Sequence, residues 1–164
     1  MEYALCWWET GSVCERRYRV GEQWYNLRSD ALADYRVGSQ QMRFWLEWDR
    51  GTMNVRDLVV KFTSYAYYIV SREWAREGSM LPVLVCIAPD IAQERRMQRV
   101  AQARLTSPSG LVVWTTTMVL LDEQGPLAPI WLQCLPQSIQ AAQSGSALRQ
   151  CFFDVILGKS RSAC

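Results

Sequence analysis

The sequence predicts an α/β sandwich with a mixed central sheet, on three observations. Two strand-like runs, residues 31–37 and one ending in Phe44-Trp45-Leu46, flank Gly38-Ser39-Gln40-Gln41, which reads as a hairpin turn. Residues 54–77 place Leu58, Phe62, Tyr65 and Ile69 at helical spacing, an apolar stripe for a helix packed on one side. Residues 82–88 form a continuous apolar run of strand length, which marks a central strand covered on both faces. Antiparallel strands followed by helix, strand, helix and strand make a layered α/β domain.

Taken in order, Met1-Glu2-Tyr3-Ala4-Leu5-Cys6-Trp7-Trp8 has neither the basic start nor the long apolar run of a signal peptide. Residues 13–27 alternate loosely and predict one or two strands leading into the 31–37 strand. The hairpin's second strand ends at Asp49, where Gly51-Thr52 turns the chain. Thr52 or Asn54 caps the following helix, and Gly78 stops it. Pro89-Asp90 ends the 82–88 strand and opens a second helix over 91–105, which bears Arg95, Arg96, Arg99 and Arg104. Ser107-Pro108-Ser109-Gly110 is a loop and 111–117 a further strand. Gly125-Pro126 and Pro129 break the chain around Ile130-Trp131-Leu132, an apolar plug. A weak helix over 137–157 is interrupted by Ser144-Gly145-Ser146, and 158–164 reads as a disordered tail. With no repeat or low-complexity linker, 1–164 is expected to be one domain.

Composition bounds the chemistry. At 164 residues and 49% hydrophobic, the chain can bury a full core. Its net charge of +2 is too small to bind nucleic acid by overall charge, so any DNA contact must come from local patches. Candidates are the arginines of the second helix, or Arg16, Arg17 and Arg19; a solvated helix face and a charged edge strand are the plainer and favoured explanation of them. The chain contains no histidine, which excludes Ser-His-Asp and Cys-His catalysis and histidine-ligated zinc. Cys6, Cys14, Cys86, Cys134, Cys151 and Cys164 form no Cys-x-x-Cys pair, so neither a thiolate metal site nor a disulfide scaffold is expected. No stretch approaches the roughly 20 apolar residues of a membrane span, and the chain reads as cytoplasmic. Nucleic-acid chemistry here would use carboxylates, lysine and a hard cation such as Mg²⁺.

The residues for that chemistry converge on one strand end. In Leu46-Glu47-Trp48-Asp49-Arg50-Gly51-Thr52, Glu47 and Asp49 project to one side of the strand and Trp48 to the other. A hairpin centred near Ser39 places Asp30 opposite Asp49 and beside Glu47. Three carboxylates on one patch repel one another unless a cation lies among them, the layout of a divalent-metal site. Lys61 lies on the edge of the helical stripe, and the acidic strand end just before the helix is its expected anionic partner. Only Lys61 and Lys159 are lysines; every other basic residue is arginine, so a compact ammonium at this edge suggests a specific need. The same residues admit a plainer reading: a Glu47–Arg50 surface ion pair, Asp30 steadying a turn, and Lys61 snorkelling past Leu58.

The run from Arg28-Ser29-Asp30-Ala31 through Leu46-Glu47-Trp48-Asp49-Arg50-Gly51-Thr52 to Lys61-Phe62-Thr63-Ser64-Tyr65 resembles the replication-relaxation family of plasmid and mobile-element proteins. Val113-Trp114-Thr115-Thr116-Thr117, and Gly125-Pro126 on to Leu132, resemble its C-terminal segment, so the likeness covers roughly residues 7–132. The resemblance implies a restriction-endonuclease-like α/β sandwich of the PD-(D/E)xK type. Two departures stand out: the usual Pro-Asp reads Ser29-Asp30, and Glu-x-Lys reads Glu47-Trp48-Asp49. Lys61 is then the candidate for the displaced lysine. The winged-helix region and first core helix that the family implies are absent from the sequence pattern.

On this resemblance, Asp30, Glu47 and Asp49 would hold Mg²⁺ or Mn²⁺ and Lys61 would complete the catalytic set, with Tyr65 extending the polar network. Arg50, Arg95, Arg96 and Arg99 would contact DNA. The implied function is DNA processing by a metal-dependent nuclease; the alternative is a non-catalytic, nuclease-derived module that binds DNA or a protein. Of the eight tryptophans, Trp45, Trp114 and Trp131 suit the core. Trp7, Trp8 and Trp24 suggest a cover for a surface left bare, or an interface with a second copy or another protein.

Overall fold

A computed structural model describes residues 3–78, 80–104, 110–135 and 149–150. Among them six strands form one mixed sheet: β1 (Tyr3–Thr10), β4 (Ala31–Val37), β5 (Gln40–Trp48), β6 (Val83–Ala88), β7 (Val113–Thr117) and β8 (Leu132–Cys134), adjacent in that order. β1, β4 and β5 pair antiparallel, β5, β6 and β7 parallel, and β8 returns antiparallel to β7. A separate ribbon is made by β2 (Glu15–Val20) and β3 (Gln23–Arg28). The helices are α1 (Val55–Ser71), α2 (Trp74–Glu77), α3 (Ile91–Arg104) and α4 (Met118–Gln124). This is the mixed α/β sandwich that the sequence pattern predicts. The helix and tail expected over 137–164 lie outside the described residues except for Arg149 and Gln150, where Gln150 bridges antiparallel to Trp131.

Alternation along the strands divides the core into two layers. Leu32, Trp45, Leu84, Cys86 and Val113 face α1, α3 and the ribbon, whose Tyr18 and Leu27 are buried among them. Ala33, Phe44, Val85, Ile87 and Trp114 face the opposite side, where α4 and Ile130-Trp131 pack. β6 is thus apolar on both faces, as a central strand in a parallel βαβ unit must be, while the helix face of β5 sets Arg43 and Glu47 on either side of Trp45. Trp45 packs tilted against Tyr65 and edge-on against Tyr68 of α1, with ring centres 5.1 and 5.4 Å away. Those contacts set the height of α1 above the sheet.

The β4–β5 hairpin is tighter than the sequence suggests. Val37 pairs with Gln40, so Gly38-Ser39 alone make the turn, with Gly38 at φ +58°. Two-residue turns with positive φ match the twist of the flanking strands and require glycine or a similarly permissive residue. Ala31 then pairs with Leu46, and the Asp30 N–H reaches the Leu46 carbonyl at 3.1 Å. Asp30 therefore comes level with Glu47. The expected position opposite Asp49 is corrected by two residues of register.

The helix expected over 54–77 is two. Asn54 caps α1 through a reciprocal box: its side chain accepts the Asp57 N–H and the Asp57 carboxylate accepts the Asn54 N–H. At Arg72 the backbone turns left-handed, φ +60°, and its N–H closes on the Ile69 carbonyl, which the Trp74 indole also meets. The break lets Glu77 fold back to accept hydrogen bonds from the Tyr68 hydroxyl and Arg16, each 2.7 Å. In an unbroken helix residues nine apart lie on opposite faces, about 13 Å apart along the axis.

The N-terminal tryptophans do not form one interface. β1 is an edge strand missed by the sequence pattern, because a bulge between Leu5 and Trp7 shifts the alternation. Trp7 faces the helix side under the Arg43 guanidinium, which is held bidentate by Asp34. Trp8 lies on the other face, lining an apolar cavity of about 450 Å³ with Leu46, Ile87 and Leu127. Trp24 is on the ribbon. A packing surface shared by the three, and with it the Trp-built dimer or protein interface, finds no support. Asn54→Ala, which opens the capping box, should lower unfolding stability by about 1 kcal/mol in a urea titration with an unchanged denaturant slope.

Candidate active site

Glu47 is the penultimate residue of β5 and its side chain points to the helix layer, 1% exposed. Helical periodicity brings Lys61 and Tyr65, one turn apart, to the α1 face above it. The Lys61 ammonium donates to Oε2 of Glu47, and the Tyr65 hydroxyl donates to Oε1. Burial pushes the Glu47 carboxyl up from 4.5 to about 7; Lys61 and Tyr65 oppose that shift, and the charge of nearby Asp30 adds to it. Tyr65 is fully buried, and burial followed by the Glu47 charge holds its hydroxyl well above the usual range, so it remains a donor. The Glu47–Arg50 surface pair of the plainer reading is not formed: Glu47 is beneath the helix, and Arg50 is exposed at the turn.

Asp30 and Asp49 part company. Asp30 is exposed at the entry to β4, and its Oδ2 accepts the Trp48 N–H at 2.7 Å, tying the two strand ends together. Asp49 is buried, but its carboxylate turns into its own loop and accepts the Gly51 N–H at 2.8 Å and the Met53 N–H at 3.4 Å. Its backbone N–H continues the sheet to the Ile87 carbonyl. The structure thus brings together Asp30, Glu47, Lys61 and Tyr65, and assigns Asp49 to the turn that starts α1. Among the described residues no three carboxylate or thiol groups gather at one point. Two carboxylates with hard oxygen donors still suit Mg²⁺, which is held by one or two carboxylates completed by substrate phosphate.

Lys61 also borders a cleft of about 310 Å³ between β3 and α1, lined by Asn26, Arg28, Arg56, Asp57 and Ser64. The α3 arginines are spread around their helix: Arg95 and Arg99 are exposed and Arg96 is half-buried. What the sequence reading missed on α3 is its inward acid. Glu94 shares a stripe with Met97 and Ala101 and is as buried as Glu47. It accepts two hydrogen bonds from Arg149, at 2.6 and 3.1 Å, and one from Thr115 at 3.0 Å. Glu47, Cys86 and Thr115 are register partners across β5, β6 and β7. A polar row therefore crosses the sheet beneath the helices, with an acid paired to a cation at each end. Ser29 Oγ, beside Tyr65 and Cys14, is buried without a hydrogen-bond partner of good geometry.

The pH dependence of stability follows. A carboxyl at about 7 in the folded chain and 4.5 in the unfolded one means that folding takes up a proton between those values. The stability held by the protonated form is full below pH 4.5 and is lost as pH rises through 7. The difference amounts to roughly 3 kcal/mol above pH 7. With EDTA present, Glu47→Gln should melt higher than the wild type at pH 8 and match it near pH 4.5. Parallel melting curves across that range would contradict the assignment.

No helix among the described residues is long and apolar enough to cross a membrane. Neither a curated protein nor a solved structure matches the chain. The profile of the replication-relaxation family matches residues 1–84, just over half of the 164, and spans Asp30, Glu47, Asp49, Lys61 and the whole ribbon. The chain belongs to the replication-relaxation family, which points to a role in the replication or processing of plasmid and other mobile-element DNA.

Proposed function

We propose that this chain is a DNA-processing domain that hydrolyses phosphodiesters with Mg²⁺ or Mn²⁺ at Asp30 and Glu47. The observation that carries the reading is the Glu47–Lys61–Tyr65 cluster: a buried carboxylate at a strand end, bracketed by an ammonium and a phenol from the next helix. The antiparallel β1–β4–β5 strands followed by α1, β6, α3 and β7 support a restriction-endonuclease-like core of the PD-(D/E)xK type. In that reading Lys61 replaces the lysine that Asp49 displaces from the strand motif.

The cation, when bound, would polarise the phosphodiester and lower the pKa of a water. The chain's own groups prepare that chemistry. Tyr65 stays protonated and fixes one oxygen of Glu47. Lys61, partly exposed at the cleft, supplies a positive charge that can shift from Glu47 to a phosphate oxygen as negative charge develops there. Arg28 and Arg56 line the cleft where the DNA backbone would run. Arg50, Arg95, Arg96 and Arg99 remain candidate backbone contacts, with Arg50 nearest the carboxylates in sequence.

A second reading, a nuclease-derived module that binds DNA without cutting it, is favoured by one observation. Both oxygens of Glu47 are already met by Lys61 and Tyr65, and Asp49 is engaged in its turn. Nicking of supercoiled DNA with Mg²⁺ or Mn²⁺ separates the two. On the catalytic reading the wild type nicks, and Glu47→Gln and Lys61→Ala each lose about 100-fold or more while keeping DNA affinity. Calorimetric metal binding should also be lost in Glu47→Ala. A wild type that binds DNA yet never nicks it establishes the second reading.

A further inference from the structure

The β2–β3 ribbon has two unlike faces. Tyr18 and Leu27 point inward, and the Tyr18 hydroxyl is anchored on the Ser64 carbonyl of α1 at 2.8 Å. Tyr18 also packs edge-on against Tyr68, and Tyr25 against Tyr67. The outward register pairs are Glu15 with Arg28, Arg17 with Asn26, and Arg19 with Trp24, and all six side chains are exposed. This outer face carries three arginines against one glutamate. Trp24, 57% exposed, is the most open tryptophan among the described residues, and the Arg17 guanidinium lies 4.6 Å from its ring centre.

The ribbon is joined to the candidate active site. Asn26 and Arg28 at its end also line the cleft that Lys61 borders, together with Arg56. Arg19, Arg17, Asn26 and Arg28, the last ion-paired with Glu15 at 3.0 Å, therefore lead from Trp24 along the ribbon to the cleft, where Arg56 and Asp57 lie beside the Lys61 that holds Glu47. Electropositive tracks with an exposed aromatic bind single strands, because phosphates follow the charge and unpaired bases stack on the ring. A duplex offers the same phosphates but hides its base faces.

We infer that the ribbon is a single-strand-binding arm: Trp24 stacks an unpaired base, while Arg17, Arg19 and Arg28 hold the backbone and lead it toward Lys61. The inference rests on the DNA-processing reading and narrows its substrate to DNA with an unpaired segment beside the scissile bond. It also moves the principal DNA contact from the arginines of α3 to those of the ribbon.

The test is fluorescence anisotropy with labelled oligo-dT and a duplex of equal length, in EDTA so that no cleavage occurs. Trp24→Ala should weaken oligo-dT binding about tenfold and leave duplex binding within about twofold, and Trp24→Phe should restore most of the loss. Arg17→Ala with Arg19→Ala should weaken both and flatten the salt dependence on oligo-dT by about 1.4 log units per log unit of salt. All the altered side chains are exposed, and an unchanged melting temperature verifies the fold. Wild-type affinity in both variants, or equal losses on duplex and single strand in Trp24→Ala, overturns the arm. Because binding is read without metal, loss of the arm leaves the nicking result standing, and absence of nicking leaves the arm standing.

Discussion

The Glu47 carboxylate can lie beneath a helix layer only because Lys61 and Tyr65 meet both of its oxygens. An isolated buried carboxylate would shed its charge or disrupt the fold. Around this pairing the rest of the region has little freedom. Trp45 fixes the height of α1 against Tyr65 and Tyr68, the Asn54 box fixes where α1 starts, and Asp49 shapes the turn between strand and helix. The hydroxyl and the ammonium then arrive over the acid together.

A second buried acid in the same sheet gives a useful contrast. Glu94 is gripped by the fork of Arg149 and by Thr115, a set of directional bonds that suits a permanent structural tie. Glu47 has a flexible ammonium whose stem borders a cleft. Lysine is a point charge on a long stem and can move between partners, whereas a bidentate guanidinium is costly to displace. Similar burial and similar charge pairing therefore leave one acid locked and the other adjustable. That asymmetry is why the proposed chemistry is assigned to Glu47 and not to Glu94.

The segment matched by the family, residues 1–84, holds the strand ends, α1 and the ribbon together. α3 and its arginines lie outside it. Site and proposed arm thus share one stretch of chain, and both are organised by α1: its inner face carries Tyr65 and Lys61, and its flank anchors Tyr18 through Ser64. A change in the seating of α1 would move both.

Most elements were legible in the sequence because hydrophobic period is a local property. The stripe of Leu58, Phe62, Tyr65 and Ile69 and the unbroken 82–88 run need no knowledge of the fold. Lys61 stood out against a background of arginine, and an acid of the strand end before it, Glu47, proved to be its partner. What the tertiary structure decided depends on contacts that periodicity does not encode. A two-residue turn at Gly38-Ser39 put Asp30 level with Glu47, and the loop after Asp49 drew that carboxylate into its own backbone. The break at Arg72 let Glu77 fold back to bond Tyr68 and Arg16, the latter 61 residues away in the chain. Glu94 was hidden among arginines because its partner, Arg149, lies 55 residues further on. Sequence pattern reports which face of an element is apolar; which polar groups meet beneath it depends on register and on chain segments brought together only by folding.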